Sequence, residues 1–282
     1  MNDILLLGGS GSLGRSFSRK LNNIISLPKS SADLTRFDVL TQLFEKYKPK
    51  TIINCAAYTQ VDASETNRQL AFMVNAQALV NLGNLAARYG SKLCHFSTDY
   101  VFDGISQTPY TENDLPSPIN WYGQTKAFGD FGLLSVNPQT LIIRISFPYG
   151  LEYPNSFVGK MLQKLAAKQT IEVLCDRWIY PTWVDDLVDA TSRLLENRIS
   201  GIVNFCNSGE APSLFRYAQE IESIKYPKTS SLITPITRDK IISSPAARPI
   251  RALLDTNYYA KLTGDKTPNW QDSLKKYLGQ IN

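Results

Sequence analysis

An apolar segment followed by a glycine-rich turn restricts the possible folds of this chain more than any other feature. Asp3 to Leu7 leads into Gly8-Gly9-Ser10-Gly11-Ser12-Leu13-Gly14, and a helical pattern continues through Leu21. Gly8 permits a tight turn, Gly11 lets the backbone approach a pyrophosphate, and the amino end of the helix offers unpaired N–H groups to phosphate. Strand, glycine turn and helix in this order are typical of a dinucleotide-binding site. The residues predicted to contact the dinucleotide here are Gly8, Gly11, Ser12 and Leu13.

Strand-sized apolar segments alternate with helical patterns after that turn. The next predicted strands are Ile24 to Leu27, Thr51 to Cys55, Lys92 to Ser97 and Thr140 to Ile145. Because the connections are short, the alternation predicts a parallel sheet with helices on both faces. The predicted fold class is α/β. A Rossmann-like doubly wound parallel sheet is expected over residues 1–150, and a smaller C-terminal substrate-binding subdomain over residues 151–282, from which some elements return to the sheet.

The end of the second predicted strand indicates which dinucleotide is bound. NAD-binding proteins usually place an acidic residue there for the ribose 2′-hydroxyl. This chain has Pro28-Lys29-Ser30-Ser31 at that point, and Arg15 directly follows the last glycine of the turn. A cation suits a 2′-phosphate, so the sequence favours NADPH as the cofactor, with NADH possible.

A tyrosine and a lysine four residues apart, Tyr122 and Lys126, lie on one face of a predicted helix. A nearby ammonium favours the phenolate and is expected to lower the pKa of the tyrosine from its usual value of about 10. The pair alone is a weak signal. Gly11, Ala57 and Thr98 each follow a predicted strand, and parallel strands present their carboxyl ends to one cleft. We therefore predict that Thr98, Tyr122 and Lys126 meet the nicotinamide there as the catalytic residues.

Composition excludes several classes of function. Lys and Arg are scattered, so the net charge of +5 does not indicate nucleic-acid binding and is compatible with an anionic small-molecule substrate. The longest apolar runs are far shorter than a membrane span, and no signal peptide is evident, so a cytoplasmic protein without membrane association is expected. The four cysteines are unpaired in sequence, and no carboxylate cluster predicts a metal site. The single histidine, His95, is interpreted as a structural residue.

The second half of the chain carries aromatic and basic residues. Arg177, Trp178, Arg248 and Arg251 are suited to an anionic ligand that bears a base, by stacking and by phosphate pairing.

Together these motifs resemble the extended short-chain dehydrogenase/reductases and, within them, the dTDP-4-dehydrorhamnose reductases. The resemblance spans almost the whole chain. Its two most specific motifs are the run from Asn54 to Asp62 and the run from Ser97 to Gly104. Its other motifs are the glycine turn, Asp33-Leu34-Thr35, Tyr122-Gly123-x-x-Lys126, Pro181-Thr182 and Arg248-Pro249 followed by Leu254-Asp255.

The resemblance implies a reductase of a nucleotide-linked 4-keto-6-deoxy sugar in deoxysugar and cell-surface polysaccharide biosynthesis, acting as a monomer or homodimer. Tyr122 would donate a proton to the C4 oxygen, Lys126 would hold the nicotinamide ribose, and Thr98 would bond the same oxygen. Further cofactor-binding residues would be Asp33, Leu34, Ala56, Ala57, Tyr58, Thr59 and Asn75. Substrate-binding residues would be Val61, Thr98, Asp99, Tyr100, Phe147, Arg177, Trp178 and Arg248.

Three departures from the family pattern leave the substrate open. Phe147 replaces a tryptophan, Arg177 and Trp178 replace a Gln-x-Gly segment, and Arg251 displaces a serine. A nucleotide-sugar 4,6-dehydratase is rejected because Tyr100 occupies the position of its glutamate. A 4-epimerase, which uses the same Tyr/Lys pair with tightly held NAD, stays an alternative. So does a non-catalytic regulatory subunit of the same fold.

Overall fold

The computed structural model describes residues 3–227, 231–240 and 244–281. Its first half contains β1 (Ile4–Leu7), α1 (Ser12–Lys20), β2 (Ile24–Leu27), α2 (Phe37–Tyr47), β3 (Thr51–Asn54), α3 (Val61–Ser64), α4 (Arg68–Phe72), a π-helical segment (Met73–Gln77), α5 (Ala78–Tyr89), β4 (Lys92–Thr98), a 3₁₀ turn (Asp99–Val101), α6 (Trp121–Val136) and β5 (Leu141–Ile145). Its second half contains β6 (Pro148–Tyr149), α7 (Phe157–Ala166), β7 (Ile171–Leu174), β8 (Thr182–Trp183), α8 (Val184–Glu196), β9 (Gly201–Phe205), α9 (Leu214–Lys225), β10 (Ile233–Ile236), a 3₁₀ turn (Arg238–Lys240), α10 (Asn257–Thr263) and α11 (Trp270–Gln280).

Six of the strands form one sheet in the order β2-β1-β3-β4-β5-β9, and every neighbouring pair is parallel. This confirms the predicted α/β, Rossmann-like class. The chain winds outward in both directions from β1, because β2 lies on one side of it and β3 on the other. Strand order therefore reverses between β1 and β3, which creates a crevice at their carboxyl ends. Leu7 pairs in register with Asn54, so the glycine turn lies beside the segment that follows β3.

Alternating side chains of the sheet pack against a helical layer on each face. On β1, Leu6 packs with Phe17 of α1, whereas Leu5 packs on the opposite face with Leu40 of α2 and Leu82 of α5. Strands buried on both faces read as continuous apolar runs, which is why the sequence located them well. The carboxyl ends of β1, β3 and β4 are held in place by these two cores.

A separate core joins α7, β7, α9, β10 and α11 around Tyr217 and Trp270. β9 and α8 lie beyond residue 150 in sequence but pack in the core of the large sheet, as the predicted return of some elements allows. The division of the chain at residue 150 stays a prediction. Ser213 caps α9 through its hydroxyl, which accepts the Arg216 N–H.

The helix from Arg68 to Tyr89 has the length and apolar composition of a membrane span, but half of the matching segment is buried within the protein. Leu79, Leu82 and Leu85 lie in the core on one side of the sheet. The helix is therefore a core helix of the α/β fold. Its π-helical segment contains Asn75. A Cβ on Gly129 of α6 would lie 2.0 Å from the backbone oxygen of Asn75, so a glycine is required at this contact between the two helices.

Candidate active site

Two adjoining cavities, of about 510 Å³ and about 200 Å³, lie at the carboxyl ends of β1, β3 and β4. Gly11, Ala56 and Ala57 line both cavities. Of the predicted residues, the larger cavity is also lined by Ser12, Leu13, Thr59, Val61, Thr98, Asp99, Tyr100, Tyr122, Lys126 and Phe147. The smaller cavity is also lined by Gly8, Lys29, Asp33, Leu34 and Tyr58. The structure thus brings nearly all predicted site residues to one edge of the sheet.

The glycine turn packs closely against the segment that follows β3 and brings the amino end of α1 to the crevice. Gly8 has a φ of 79°, and a Cβ placed on it would lie 2.6 Å from the backbone nitrogen of Ala56. Gly11 is the N-cap of α1, and among the described residues no side chain caps that helix end. Its first N–H groups therefore face the crevice without a side-chain acceptor, an arrangement that suits the pyrophosphate of a dinucleotide.

The smaller cavity contains most of the residues predicted to contact the ribose and its 2′-phosphate, but not Arg15. Lys29 lines it, as does Asp33, whose carboxylate accepts hydrogen bonds from the Thr35 N–H and hydroxyl. Arg15 does not belong to this set. Its guanidinium is held by the Glu152 carboxylate at 2.9 Å and by the carbonyl of Ser10, and it lines neither cavity. The side chain lies on the exposed side of α1, and binding of a 2′-phosphate by Arg15 stays a prediction.

Tyr122 enters the larger cavity from the first turn of α6. The Asn120 side chain caps this helix by accepting the Gly123 N–H, and it donates to the Ala247 carbonyl. Burial raises the pKa of Tyr122 above its usual range, and an interaction with the Thr98 hydroxyl only partly opposes that shift. The prediction that Lys126 lowers this pKa is wrong for the protein without ligands, because the loss of hydration dominates.

Lys126 is 1% exposed and points to the strand side of the cavity. Its Nζ donates to the Phe96 carbonyl at 2.7 Å and lies 2.8 Å from Nε2 of His95. Burial lowers the pKa of Lys126 to about 8. The interpretation of His95 as merely structural missed this contact. His95 and Ser97 are two residues apart on β4, so their side chains lie on the same face of the sheet. Both contact α6, the helix that contains Lys126.

Asp99 fixes the orientation of the Thr98 hydroxyl. Thr98 Oγ1 donates to one carboxylate oxygen of Asp99 at 3.0 Å, and Ser146 donates to the other at 2.8 Å. Burial raises the pKa of Asp99 to about 6, with Arg177 among the groups that oppose the shift. Tyr100, one residue further on, accepts a hydrogen bond on its hydroxyl from Arg177 at 3.1 Å.

The wall of the larger cavity contains a strained aromatic residue. Phe147 has a φ of 48° and lies near the Phe157 ring, with the Arg177 guanidinium 6.0 Å from its ring centre. A left-handed backbone at a bulky residue is rare and is most often found at functional sites. Sequence reasoning missed the neighbouring wall of the cavity, which consists of Pro148, Tyr153, Asn155 and Ser156.

Five predicted site residues do not line either cavity among the described residues: Arg15, Asn75, Arg177, Trp178 and Arg248. The Asn75 side-chain amide holds the Tyr58 backbone from both sides: its Oδ1 accepts from the Tyr58 N–H and its Nδ2 donates to the Tyr58 carbonyl. Asn75 therefore supports the segment that is predicted to contact the cofactor. Arg248 pairs with Asp62 through two nitrogens. Trp178 is half-buried and pairs its backbone with Ile250. The direct ligand contacts predicted for these residues stay predictions.

A family model described as RmlD substrate binding domain matches residues 1–282. The chain belongs to this family. The dTDP-4-dehydrorhamnose reductase of Aggregatibacter actinomycetemcomitans is 32% identical over 291 residues, which cover 98% of each chain. A dTDP-4-keto-6-deoxy-D-glucose reductase of Streptomyces niveus is 34% identical over 212 residues, which cover 73% of each chain. The crystal structure of dTDP-4-dehydrorhamnose reductase from Bacillus anthracis in complex with NADP is 31% identical, with a TM-score of 0.93 and 100% of both chains covered.

Membership of the RmlD family confirms the resemblance drawn from the sequence motifs. Two of the departures from the family pattern, Phe147 and Arg177, lie near each other. Arg177 contacts Tyr100 and approaches Phe147, at the end of the cavity away from the glycine turn.

Proposed function

We propose that the chain is an NADPH-dependent reductase of a dTDP-linked 4-keto-6-deoxy sugar, of the dTDP-4-dehydrorhamnose reductase type, in deoxysugar biosynthesis. One observation carries the proposal: Thr98, Tyr122 and Lys126 line a single cavity that adjoins the glycine turn. The names of the relatives supply the nucleotide and the class of sugar. The enzyme is expected to act in the cytoplasm on a soluble substrate.

Tyr122 is the proton donor in this proposal. NADPH bound along the glycine turn would supply the hydride. The phenol is kept protonated at neutral pH because burial raises its pKa, and a reduction requires the donor to hold its proton until the carbonyl accepts charge. Thr98 lies beside Tyr122 and stabilises negative charge on the same oxygen once its hydroxyl turns from Asp99 toward the substrate.

Asp99 is expected to control that turn of the Thr98 hydroxyl. While Asp99 is ionised, it accepts the single Thr98 proton, so this hydroxyl cannot donate to a substrate. A protonated Asp99 can donate to Thr98 and free its proton for the carbonyl. Since burial raises the pKa of Asp99 to about 6, a change in substrate contacts is enough to shift this balance.

Lys29 is expected to select NADPH over NADH. Changing Lys29 to aspartate places a negative charge in the smaller cavity, where the 2′-phosphate would lie. A charge-assisted hydrogen bond contributes about 1.5–3 kcal/mol, so the ratio of NADPH to NADH affinity should fall at least about tenfold. Fluorescence titration of both cofactors measures this ratio. Lys275→Asp makes the same charge change on the exposed face of α11 and should leave the ratio unchanged. An unchanged ratio in Lys29→Asp would remove Lys29 from cofactor selection.

A panel of dTDP-linked 4-keto-6-deoxy sugars, followed by NADPH absorbance, tests the reaction itself. A reductase consumes NADPH in equal amount to the sugar. A 4-epimerase would instead purify with bound NAD and interconvert 4-hydroxy sugars without net consumption. Binding of a protein partner, together with no NADPH oxidation with any sugar of the panel, would favour the regulatory subunit.

A further inference from the structure

His95 lies between the catalytic lysine and the segment that forms the wall of both cavities. Asn54 and His95 are paired in register on β3 and β4, and their side chains meet at 3.0 Å, from Asn54 Nδ2 to His95 Nδ1. On the other side of the ring, Nε2 lies 2.8 Å from Lys126 Nζ. All three side chains are 1% exposed, so water does not substitute for these contacts.

The direction of each hydrogen bond follows from one fixed donor. The Ala56 backbone N–H can only donate, and it contacts Asn54 Oδ1 at 3.1 Å. This contact turns the Asn54 NH₂ group toward His95, so Nδ1 of the ring must accept. A neutral imidazole that accepts at Nδ1 carries its hydrogen on Nε2, which then donates to Lys126. The lysine must in turn be a neutral amine, which donates onward to the Phe96 carbonyl.

A protonated Lys126 does not fit this arrangement. An ammonium can only donate, so Nε2 of His95 would have to accept and Nδ1 would carry the hydrogen. That hydrogen would then face the Asn54 NH₂ group. The conflict at His95 is relieved when the Asn54 side-chain amide turns over and presents Oδ1 to the ring. The Asn54 NH₂ group then faces the Ala56 N–H, which is no longer bonded to Oδ1 and needs an acceptor from a ligand in the cavity. An imidazolium is excluded in both arrangements, since neither Lys126 nor the NH₂ group of Asn54 could accept its second hydrogen.

We propose that His95 is a positioning residue that couples the protonation of Lys126 to the orientation of Asn54 and the availability of the Ala56 N–H in the dinucleotide cavity. The hydrogens balance: Lys126 Nζ goes from two hydrogens to three, the imidazole keeps one hydrogen that changes from Nε2 to Nδ1, and one proton is taken up in total. A ligand that accepts from the Ala56 N–H therefore favours the ammonium form of Lys126, and the reverse also holds.

Other charged groups near Lys126 act on its charge but not on this coupling. Asp130 of α6 favours the ammonium, and it is itself bonded to Ser97 and paired with Arg144 of β5. Tyr122 on α6 and the thiols of Cys55 after β3 and Cys94 within β4 have pKa values raised by burial, so these groups are neutral. Asp99 faces Ser146 and Thr98. None of these groups bonds to a ring nitrogen of His95.

The chain contains a single histidine, so its imidazole nitrogens can be observed directly by ¹⁵N NMR in the whole protein. In the wild type the ring hydrogen should be on Nε2 above the lysine pKa and should move to Nδ1 as pH falls through about 8, while the ring stays neutral. Lys126→Met should abolish this change. In Asn54→Asp the carboxylate accepts from both Ala56 and Nδ1, so the hydrogen should stay on Nδ1 and the lysine midpoint should rise by at least about one pH unit.

A ring hydrogen that stays on one nitrogen across the titration in the wild type, or an imidazolium that forms between pH 6 and 7, would overturn the proposal. So would an Asn54→Asp protein whose ring keeps its hydrogen on Nε2. The catalytic consequence rests on the proposed function: the alkaline limb of kcat/KM should shift upward in Asn54→Asp together with the NMR midpoint. Because the NMR titration needs no substrate, failure of the coupling can be distinguished from failure of the reductase assignment.

Discussion

Replacing Tyr122 with phenylalanine is expected to lower kcat of NADPH-dependent reduction by at least about a hundredfold, the usual range for loss of a general acid. The variant removes a single hydroxyl from a ring that is 9% exposed and packed edge-on against Tyr100. Phenylalanine keeps that packing, so the fold and the glycine turn should be preserved. NADPH affinity, measured by fluorescence titration, should change by no more than about tenfold, since a lost neutral hydrogen bond contributes only about 0.5–1.5 kcal/mol.

Tyr149→Phe is the matched control, because Tyr149 is also buried but lies in the second core and lines neither cavity. Its kcat should equal that of the wild type. Turnover of Tyr122→Phe within a few fold of the wild type would show that the proton comes from another group. Asp99 would then be the first candidate, since it is bonded to Thr98 and burial raises its pKa to about 6.

Local sequence signals predicted the part of the site that depends on backbone order. The glycine turn, Thr98 and Tyr122 each lie at the end of a strand or the start of a helix. The carboxyl ends of parallel strands lie at the same edge of a sheet, whatever side chains surround them. The first five strands of the large sheet were located within a residue or two, because a strand buried on both faces is apolar throughout. This part of the active site needed no knowledge of tertiary contacts.

Side-chain partners from distant parts of the chain could not be predicted in this way. Arg15 was assigned to a phosphate because nothing in its local sequence shows Glu152, which is 137 residues away and binds its guanidinium. Arg248 is similarly paired with Asp62, 186 residues away. The pKa of Tyr122 is raised by burial, which depends on how α6 packs against the rest of the protein. Such effects arise only when the elements pack.

Replacing Gly123 with alanine should reduce kcat by about a hundredfold although the residue carries no reacting group. Gly123 lies next to Tyr122 in the first turn of α6, and a Cβ there would lie 2.1 Å from the backbone oxygen of Tyr100. A backbone atom cannot move aside as a side chain does, so α6 and the Tyr100 segment must separate by about 1 Å. A displacement of this size at reacting groups costs about a hundredfold in rate. Tyr122 is on one side of the separated contact, and Thr98, two residues before Tyr100, is on the other.

Gly132→Ala on the same helix separates this effect from a general effect of alanine in α6. A Cβ at Gly132 would meet only a methyl group of Val80 at 2.8 Å, and that side chain can rotate. Both variants gain up to about 1 kcal/mol of helix propensity, so thermal unfolding should show Gly132→Ala at or above the wild-type Tm and Gly123→Ala below it. Wild-type kcat in Gly123→Ala would mean that the approach of α6 to Tyr100 does not set the distance between the phenol and the threonine hydroxyl. In that case proton donation by Tyr122 would not depend on the close contact between α6 and the Tyr100 backbone.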